Sequence, residues 1–283
     1  WFVFYGYFFI FGLKSVSYSA NKIDQNRLSK IINKIDVCHP IKGNLNKYLD
    51  VYKTNVVLPG DGSEIEIRPL TTNDVKKLLV YEGNTDPTVE ERILDEILEV
   101  STNCDPKKLY LQDRYFLFFE LRKATKGKKH NYQYTCPKCN NQSIQNIDLE
   151  QVVIKKLNPE RNREIKVLND KVILTIDHIT REEQEESLQC IDLNNENVHE
   201  KELDIRINYL AACIKQIETP EGIEDIDIKG KMDFLSDLPG NEYDKIKEWF
   251  ENNEFGVDFT MTINCPHCDN KNTKELTLNN FFD

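Results

Sequence analysis

Four cysteines have the spacing of metal ligands. They form two Cys-Pro-x-Cys pairs, Cys136-Pro-Lys-Cys139 and Cys265-Pro-His-Cys268. Two cysteines separated by two residues can bind one metal ion from a tight turn, and a proline at the second position fixes φ for that turn. Together the pairs offer four thiolates, the complete ligand set of a tetrahedral Zn²⁺ site. We therefore predict one zinc site shared by Cys136, Cys139, Cys265 and Cys268. Two separate sites, or pairs without metal, are the alternatives.

Such a site would be structural, because four thiolates leave no coordination position open for water or a substrate. His130 and His267 lie near the two pairs and could each replace a cysteine, although four sulfurs already complete the set. A thioredoxin-like redox role is disfavoured, since neither pair is predicted to lie between a strand and a long helix. The four isolated cysteines are typical of small core residues in a reducing cytosol: Cys38, Cys104, Cys190 and Cys213.

The sequence contains no motif that is typical of an enzyme. GxGxxG, P-loop, HExxH and GxSxG patterns are all missing, and the five histidines lie in unrelated contexts. The acidic cluster at 182–186 has the pattern of a solvated helix face. We therefore predict that the chain is not an enzyme and has no small-molecule substrate.

The overall charge argues against nucleic acid as a general partner. The chain has 283 residues, with 48 acidic and 37 basic side chains and a net charge of −11, whereas binding to phosphates needs a positive surface. One basic run could contact phosphate or an acidic protein, and the protein partner or a simple solvated loop is favoured. This run comprises Arg122, Lys123, Lys126, Lys128 and Lys129.

The beginning of the chain is treated separately from the fold. Residues 1–13 are apolar and aromatic, with no basic residue before Lys14, and they are too few to cross a bilayer as a helix. Translated upstream sequence or a fragment end is favoured over a docking, membrane-touching or signal-like segment. We set residues 1–40 apart as an N-terminal extension and predict no membrane span. A short amphipathic helix is expected at 21–35.

Two stretches of the chain repeat one order of elements: hairpin, threonine-capped helix, further helices, strand, cysteine pair, strand. In the first, strands at 51–58 and 64–68 precede helices that begin near Thr71, Pro87 and Gln112. In the second, strands at 164–168 and 171–176 precede a helix capped by Thr180 and helices at 202–215, 229–237 and 241–252. The strict alternation at 257–263 predicts a strand that leads into Cys265.

The two cysteine segments also align with each other. Residues 135–149 match 264–278 without gaps, and the match includes Asn141 with Asn270 and Ile147 with Leu276. Zinc knuckles resemble one another in general, so it is the upstream agreement that favours a duplication. We predict an α+β fold, mostly helical with short β-hairpins, and a split four-cysteine zinc ribbon formed from two pseudo-repeats at 41–150 and 151–283.

Several segments, in this order, resemble the T4-type bacteriophage baseplate proteins. They are LPGDGSEIEIRPLTTNDVKKLL at 58–79, LYLQDRYFLFFELRKATKG at 109–127, YTCPKC at 134–139, and CPHC at 265–268 followed by ELTLNNFF. The resemblance spans about 45–283, and its most specific part is the LQDR helix followed by CPxC. The family includes the baseplate hub subunit that is needed to assemble the tail hub of contractile phages.

The resemblance implies a structural or assembly protein, located in the virion tail baseplate or in the host cytoplasm during assembly. Its partners would be other baseplate and tail hub proteins, and its four CPxC cysteines fall on the family's own positions. A zinc-ribbon regulatory protein that binds nucleic acid or the transcription machinery is the alternative. Trp249-Phe250 and Phe281-Phe282 are candidate anchors for a protein interface, with ordinary core packing as the other interpretation.

Overall fold

The structure, a computed structural model, describes residues 52–81, 87–191 and 198–276. The helix predicted at 21–35 and the Phe281-Phe282 pair lie outside these residues.

The first half of the described chain begins with a hairpin and ends with a two-stranded ribbon. Its elements are β1 (Thr54–Val57), β2 (Glu64–Ile67), α1 (Thr72–Tyr81), α2 (Pro87–Ser101), α3 (Leu111–Lys126), β3 (Lys129–Thr135) and β4 (Gln142–Asp148). A 3₁₀ turn at Pro106–Lys108 precedes α3. Thr71 fixes the start of α1. Its hydroxyl accepts a hydrogen bond from the Asp74 N–H, and its backbone N–H donates to the Asp74 carboxylate.

The second half follows the same order with additional strands and one additional helix. Its elements are β5 (Ile154–Lys155), β6 (Glu164–Val167), β7 (Val172–Ile176), α4 (Arg181–Leu188), α5 (Val198–Cys213), β8 (Ile214–Thr219), β9 (Gly222–Glu224), α6 (Ile228–Asp237), α7 (Gly240–Asn252), β10 (Gly256–Val257), β11 (Thr260–Asn264) and β12 (Lys271–Glu275). The predicted capping box is confirmed, because Thr180 and Glu183 bond reciprocally at the start of α4.

The prediction of a mostly helical fold is wrong. The described residues are 42% helical and 27% strand, with seven helices and several small sheets. One four-stranded sheet has the order β6-β7-β8-β9, and the pairs β1-β2, β3-β4, β5-β10 and β11-β12 form two-stranded sheets. All the strand pairs in these sheets are antiparallel.

The main error lies after α5. The predicted helix at 202–215 ends at Cys213, and the chain continues as β8 because Ile214 and Ile217 become buried in pairing with β7. The strand predicted at 257–263 is also divided. Its first part belongs to β10, which pairs with β5, and its second part is β11, which pairs with β12.

In both halves, a third segment of backbone forms hydrogen bonds at the end of the hairpin's second strand, and it does so in the same way. In the first half, the Arg68 N–H donates to the carbonyl of Ser101, the last residue of α2, at 2.9 Å. In the second half, the Asp177 N–H donates to the carbonyl of Cys213, the last residue of α5, at 3.0 Å. The residue that follows each helix then pairs with the hairpin's second strand. The two hairpins therefore occupy corresponding environments.

The two halves share one hydrophobic core. Its buried members include Leu117, Phe119 and Leu121 of α3 together with Leu174 and Ile176 of β7. Burial of such side chains contributes about 1.5–3 kcal/mol each, so this common core contributes to the stability of both halves.

A buried ion network also joins the halves. Arg114 of α3 is fully buried and donates to Glu91 at 2.5 Å and to Asp95 at 2.6 Å, both on α2. Arg181, the first residue of α4, donates from Nε to the other Asp95 oxygen at 3.2 Å. Burial alone would raise the pKa of Glu91, but the nearby guanidinium groups outweigh burial and hold that pKa below its usual value. The network is therefore charged and mutually compensated.

Candidate metal centre

Two ribbons of the same register hold the cysteine pairs. The strands β3 and β4 lead to and from the first pair, and β11 and β12 lead to and from the second. When 135–149 is aligned on 264–278, the second ribbon's pairs, from Thr260↔Glu275 to Asn264↔Lys271, fall on the first ribbon's pairs, from Asn131↔Asn146 to Thr135↔Gln142. The ungapped sequence match is thus also a match of strand pairing.

The turn at each pair is closed by the same two backbone hydrogen bonds. In the first, Cys136 N–H donates to the Asn141 carbonyl and Asn140 N–H donates to the Cys136 carbonyl, at 3.0 and 2.9 Å. In the second, Cys265 bonds with Asn270 and Asp269 in the same pattern. Asn140 and Asp269 both have φ of 54°, a left-handed conformation that asparagine and aspartate tolerate better than most residues.

These turns bring all four predicted ligands together. Their Sγ atoms lie within 4.8 Å of one another, and the distances Cys136–Cys268 and Cys139–Cys265 are both 3.7 Å. A tetrahedral ion with Zn–S bonds of about 2.3 Å requires sulfurs about 3.8 Å apart. A disulfide would require about 2.05 Å. The sulfur cluster therefore has the dimensions of a four-thiolate zinc site.

A small apolar group of side chains, supplied by both ribbons, packs against the sulfur cluster. Tyr134 of the first ribbon and Ile263 of the second are buried beside Cys136 and Cys265. The Asn272 amide of the second ribbon donates to the Tyr134 hydroxyl at 2.8 Å. Because this contact crosses from one ribbon to the other, it fixes their relative position independently of the sulfurs.

The local electrostatics favour a thiolate at Cys136. Burial would raise the pKa of this thiol, but the backbone N–H groups of Cys139 and Lys138 outweigh burial and lower its pKa to about 6. At Cys268 the Asn270 N–H favours the thiolate, but burial and the three neighbouring sulfurs together raise the pKa to about 12. All four sulfurs would be thiolates at once only with a cation between them, since a bound divalent ion deprotonates its thiol ligands.

Among the residues that the structure describes, these four cysteines form the one group of three or more His, Cys, Asp or Glu side chains that could hold a metal ion. His130 and His267 are not members of it, and His267 is exposed. The donor set is entirely sulfur, which suits Zn²⁺ rather than Mg²⁺ or Ca²⁺. Four protein ligands would close the coordination sphere, so the centre can act as a cross-link.

The predicted basic run is largely engaged within the protein. Arg122 donates to the carbonyls of Gly127 and Lys129, at 2.9 and 3.3 Å, and thereby closes the end of α3. Lys123 pairs with Glu120, and Lys128 pairs with Glu150. These contacts reduce the positive charge available to phosphate, which the sequence alone could not reveal.

Trp249 and Phe250 are core residues and not interface anchors. Both are buried, and the Trp249 indole N–H donates to the Asn162 carbonyl at 2.6 Å. They surround His178, whose Nε2 lies 3.0 Å from the Asn253 carbonyl. That carbonyl can only accept, so Nε2 carries the proton and Nδ1 accepts from the Gln112 amide. Burial lowers the pKa of His178 to about 4.

Sequence reasoning missed the role of the polar residues in LQDR, which are buried at the junction of the two halves. Gln112 contacts His178, Asp113 accepts from the Gly60 N–H at 2.9 Å, and Arg114 anchors the ion network. The available signal was three consecutive polar residues, 112–114, directly before an uninterrupted apolar and aromatic run at 115–119. Across the described ranges, no helix combines the length and the apolar character needed to cross a membrane.

Comparison with known proteins gives one result. A family model described as T4 bacteriophage base plate protein matches residues 51–283, a range that contains both ribbons and all four clustered cysteines. No curated protein and no solved structure gives a significant match. The family expected from the LQDR and CPxC segments is therefore confirmed: the chain belongs to the T4 bacteriophage base plate protein family.

Proposed function

We propose that this base plate protein is a component of the tail hub, and that a structural Zn²⁺ ion holds its two halves together. Family membership gives the coarser role, a structural part of the phage tail that contacts other tail proteins in the virion. The observation that carries the zinc proposal is the set of four Sγ atoms within 4.8 Å, supplied equally by two ribbons far apart in the chain.

The metal ligands in this proposal are Cys136, Cys139, Cys265 and Cys268. When bound, the ion would offset half of the negative charge of the four thiolates and cross-link the end of the first half to the end of the second. The chain's own residues position and cover the site. The two turns orient the sulfur atoms, and Tyr134 and Ile263 cover the buried side of the sulfur cluster. The proposal assigns no catalytic step to the chain, because a closed centre has no position for a reactant.

The proposed halves are pseudo-repeats, 41–150 and 151–283, that derive from one ancestral unit. Three correspondences support this proposal. The ribbons share one register, the helices that follow the hairpins begin with capping boxes, and each hairpin pairs with the residue after its second helix. Similar zinc knuckles would explain the first correspondence but neither of the other two.

The hub assignment is tested in infected cells. A phage whose own copy of this gene carries a nonsense codon is complemented with the wild-type chain or with the Cys139→Ser variant, and tails are imaged by electron microscopy. Wild-type chain should restore baseplates with a complete hub, and Cys139→Ser should give few. Complete hubs in the uncomplemented infection would overturn the hub role. Normal hubs with Cys139→Ser would overturn only the zinc requirement.

A further inference from the structure

We propose that the β8–β9 hairpin is a docking edge for a basic, extended segment of a partner protein, which adds a strand alongside β9. Strand addition uses main-chain hydrogen bonds for affinity and alternate side chains for specificity. The proposal goes beyond the hub assignment and does not depend on zinc.

The four-stranded sheet has one covered edge and one open edge. At the β6 edge, side chains of α7 bond to the backbone: Lys245 donates to the Lys166 carbonyl, Glu242 accepts from the Leu168 N–H, and Trp249 donates to the Asn162 carbonyl. At the other edge, all three residues of β9 are exposed, and Ile223 is 67% exposed. Of the strands described, β9 pairs with β8 alone. Among the described residues, a helix thus covers one edge, and the opposite edge is accessible.

The charge around the open edge specifies the kind of partner. Five exposed carboxylates lie on or beside β9, and residues 216–228 include no lysine or arginine. Within the described part of the chain, none of the five forms an ion pair, although Asp227 accepts from the Gly230 N–H at the start of α6. They are Glu218, Glu221, Glu224, Asp225 and Asp227. A segment rich in lysine or arginine would relieve their mutual repulsion.

The edge is also preformed. The Thr219 hydroxyl accepts from the Glu221 N–H, and its single proton lies within reach of the Gly222 carbonyl at 3.2 Å and of Glu224 Oε1 at 3.0 Å, so one side chain holds the turn. Gly222 has φ of 132°, which a residue with a Cβ rarely adopts. A partner strand would therefore meet a surface that needs little ordering, and this improves affinity.

The position of the hairpin in the proposed repeat adds an independent argument. In the first half, only the connection 103–110, with its 3₁₀ turn, lies between the residue that pairs with the hairpin and the last helix. The second half has the remainder of β8, then β9 and α6, in the corresponding interval, 215–239. The acidic edge is therefore an addition specific to one half. The competing explanation is that a short, charged edge strand only protects the sheet from aggregation.

The test uses the full chain and three labelled seven-residue peptides, measured by fluorescence anisotropy. One peptide alternates lysine and valine, the second replaces lysine with glutamate, and the third keeps the lysines but has proline in place of the central valine. We expect binding of the first only, because glutamate reverses the charge and proline removes a main-chain donor. Equal binding of the first and third peptides would show charge attraction without strand addition and would overturn the proposal, as would no binding.

A matched pair of variants locates the site. Glu221→Gln combined with Glu224→Gln and Asp225→Asn should weaken binding of the lysine–valine peptide about tenfold. The control combines Glu160→Gln, Glu164→Gln and Glu251→Gln, which removes the same charge from exposed positions elsewhere, and should change affinity less than about twofold. Equal losses in the two variants would assign the binding to net charge and would contradict a site at β9.

Discussion

The Sγ atoms of Cys136 and Cys268 lie 3.7 Å apart, although the two residues are 132 positions apart in the chain. Two turns with identical backbone hydrogen bonds produce this approach, and each turn supplies two sulfurs. A metal ion at this place would close a very long loop. Since such a site does not exist in the unfolded chain, its binding free energy becomes folding free energy.

The first prediction concerns metal content. Purified chain should contain one Zn²⁺ per molecule by elemental analysis, because the four sulfurs form a single ligand set. Cys268→Ser should lower this content strongly. Cys190→Ser, which removes an exposed cysteine outside the cluster, should leave it unchanged. Two ions per chain, or none, would contradict the shared site.

The second prediction concerns the stability that the centre supplies. Cys136→Ser should lower the free energy of unfolding by several kcal/mol in urea titrations, because the ion then loses a ligand. Cys213→Ala should cost only about 1 kcal/mol, since this buried thiol lies outside the sulfur cluster and contributes mainly packing. Addition of a strong chelator should destabilise the wild type more than the Cys136→Ser variant. An equal effect on both would argue against a metal at these sulfurs.

The third prediction concerns the ion network between the halves. Arg181→Ala should cost about 3–5 kcal/mol of unfolding free energy, because Asp95 would remain buried with one of its two guanidinium partners removed. The exposed pair Lys107–Glu185 provides the control, and Lys107→Ala should cost far less, because exposed ion pairs contribute little to stability. Comparable losses in the two variants would mean that the network is not a main connection between the halves.

The fourth prediction concerns Asp113, a buried carboxyl beside the hairpin turn. Burial raises its pKa from 3.8 to about 7; the Gly60 N–H opposes this shift and nearby Asp61 adds to it. The folded chain thus prefers the protonated carboxyl, and stability from this group falls as pH rises from about 4 to about 7. Asp113→Asn keeps an acceptor for Gly60 and should raise the unfolding free energy by about 2–4 kcal/mol at pH 8. Little or no gain should appear at pH 4.

The control for this experiment is Asp233→Asn, an exposed position far from Asp113 in the chain, where the same substitution should change stability by less than about 0.5 kcal/mol at either pH. A gain for Asp113→Asn that is equal at pH 4 and pH 8 would come from packing and would refute the raised pKa.

The fifth prediction is an opposing pH effect from His178. Its pKa falls from 6.5 to about 4 on burial, so stability from this group is lost as pH falls from about 6.5 towards 4. In the wild type the two trends offset each other over this range. In Asp113→Asn the loss on acidification should become visible, with a slope of up to about 1.4 kcal/mol per pH unit. Adding His178→Gln should remove the slope, and persistence of the slope would assign it to another group.

Local patterns predicted the parts of this fold that local interactions determine. The CPxC pairs, the helix that contains LQDR and the capping box at Thr180 depend on residues close together in sequence. The hairpins at β1–β2 and β6–β7 also follow from alternation and turn residues. Each of these elements carries its own start or stop signal, so its existence could be read without tertiary information.

The parts that sequence did not predict depend on distant partners. Nothing local ends α5 at Cys213; β8 begins there because β7 offers a strand to pair with. The ion network is equally non-local, since the Arg181–Asp95 contact spans 86 positions. At the candidate site, spacing identified the ligands, whereas their approach depends on two ribbons packing together.

The separation of the two cysteine pairs has a consequence during synthesis. Cys265 follows Cys139 by 126 positions, and at about 5–20 residues per second the ribosome needs roughly 6–25 s to make that stretch. Throughout this interval the nascent chain presents two thiols and half a ligand set. The first ribbon therefore lacks the second pair of sulfurs until the second ribbon has been made. The folding of the two halves cannot be completed independently. During this interval the two thiols can be oxidised or can bind an unsuitable ion, because the second cysteine pair is translated later.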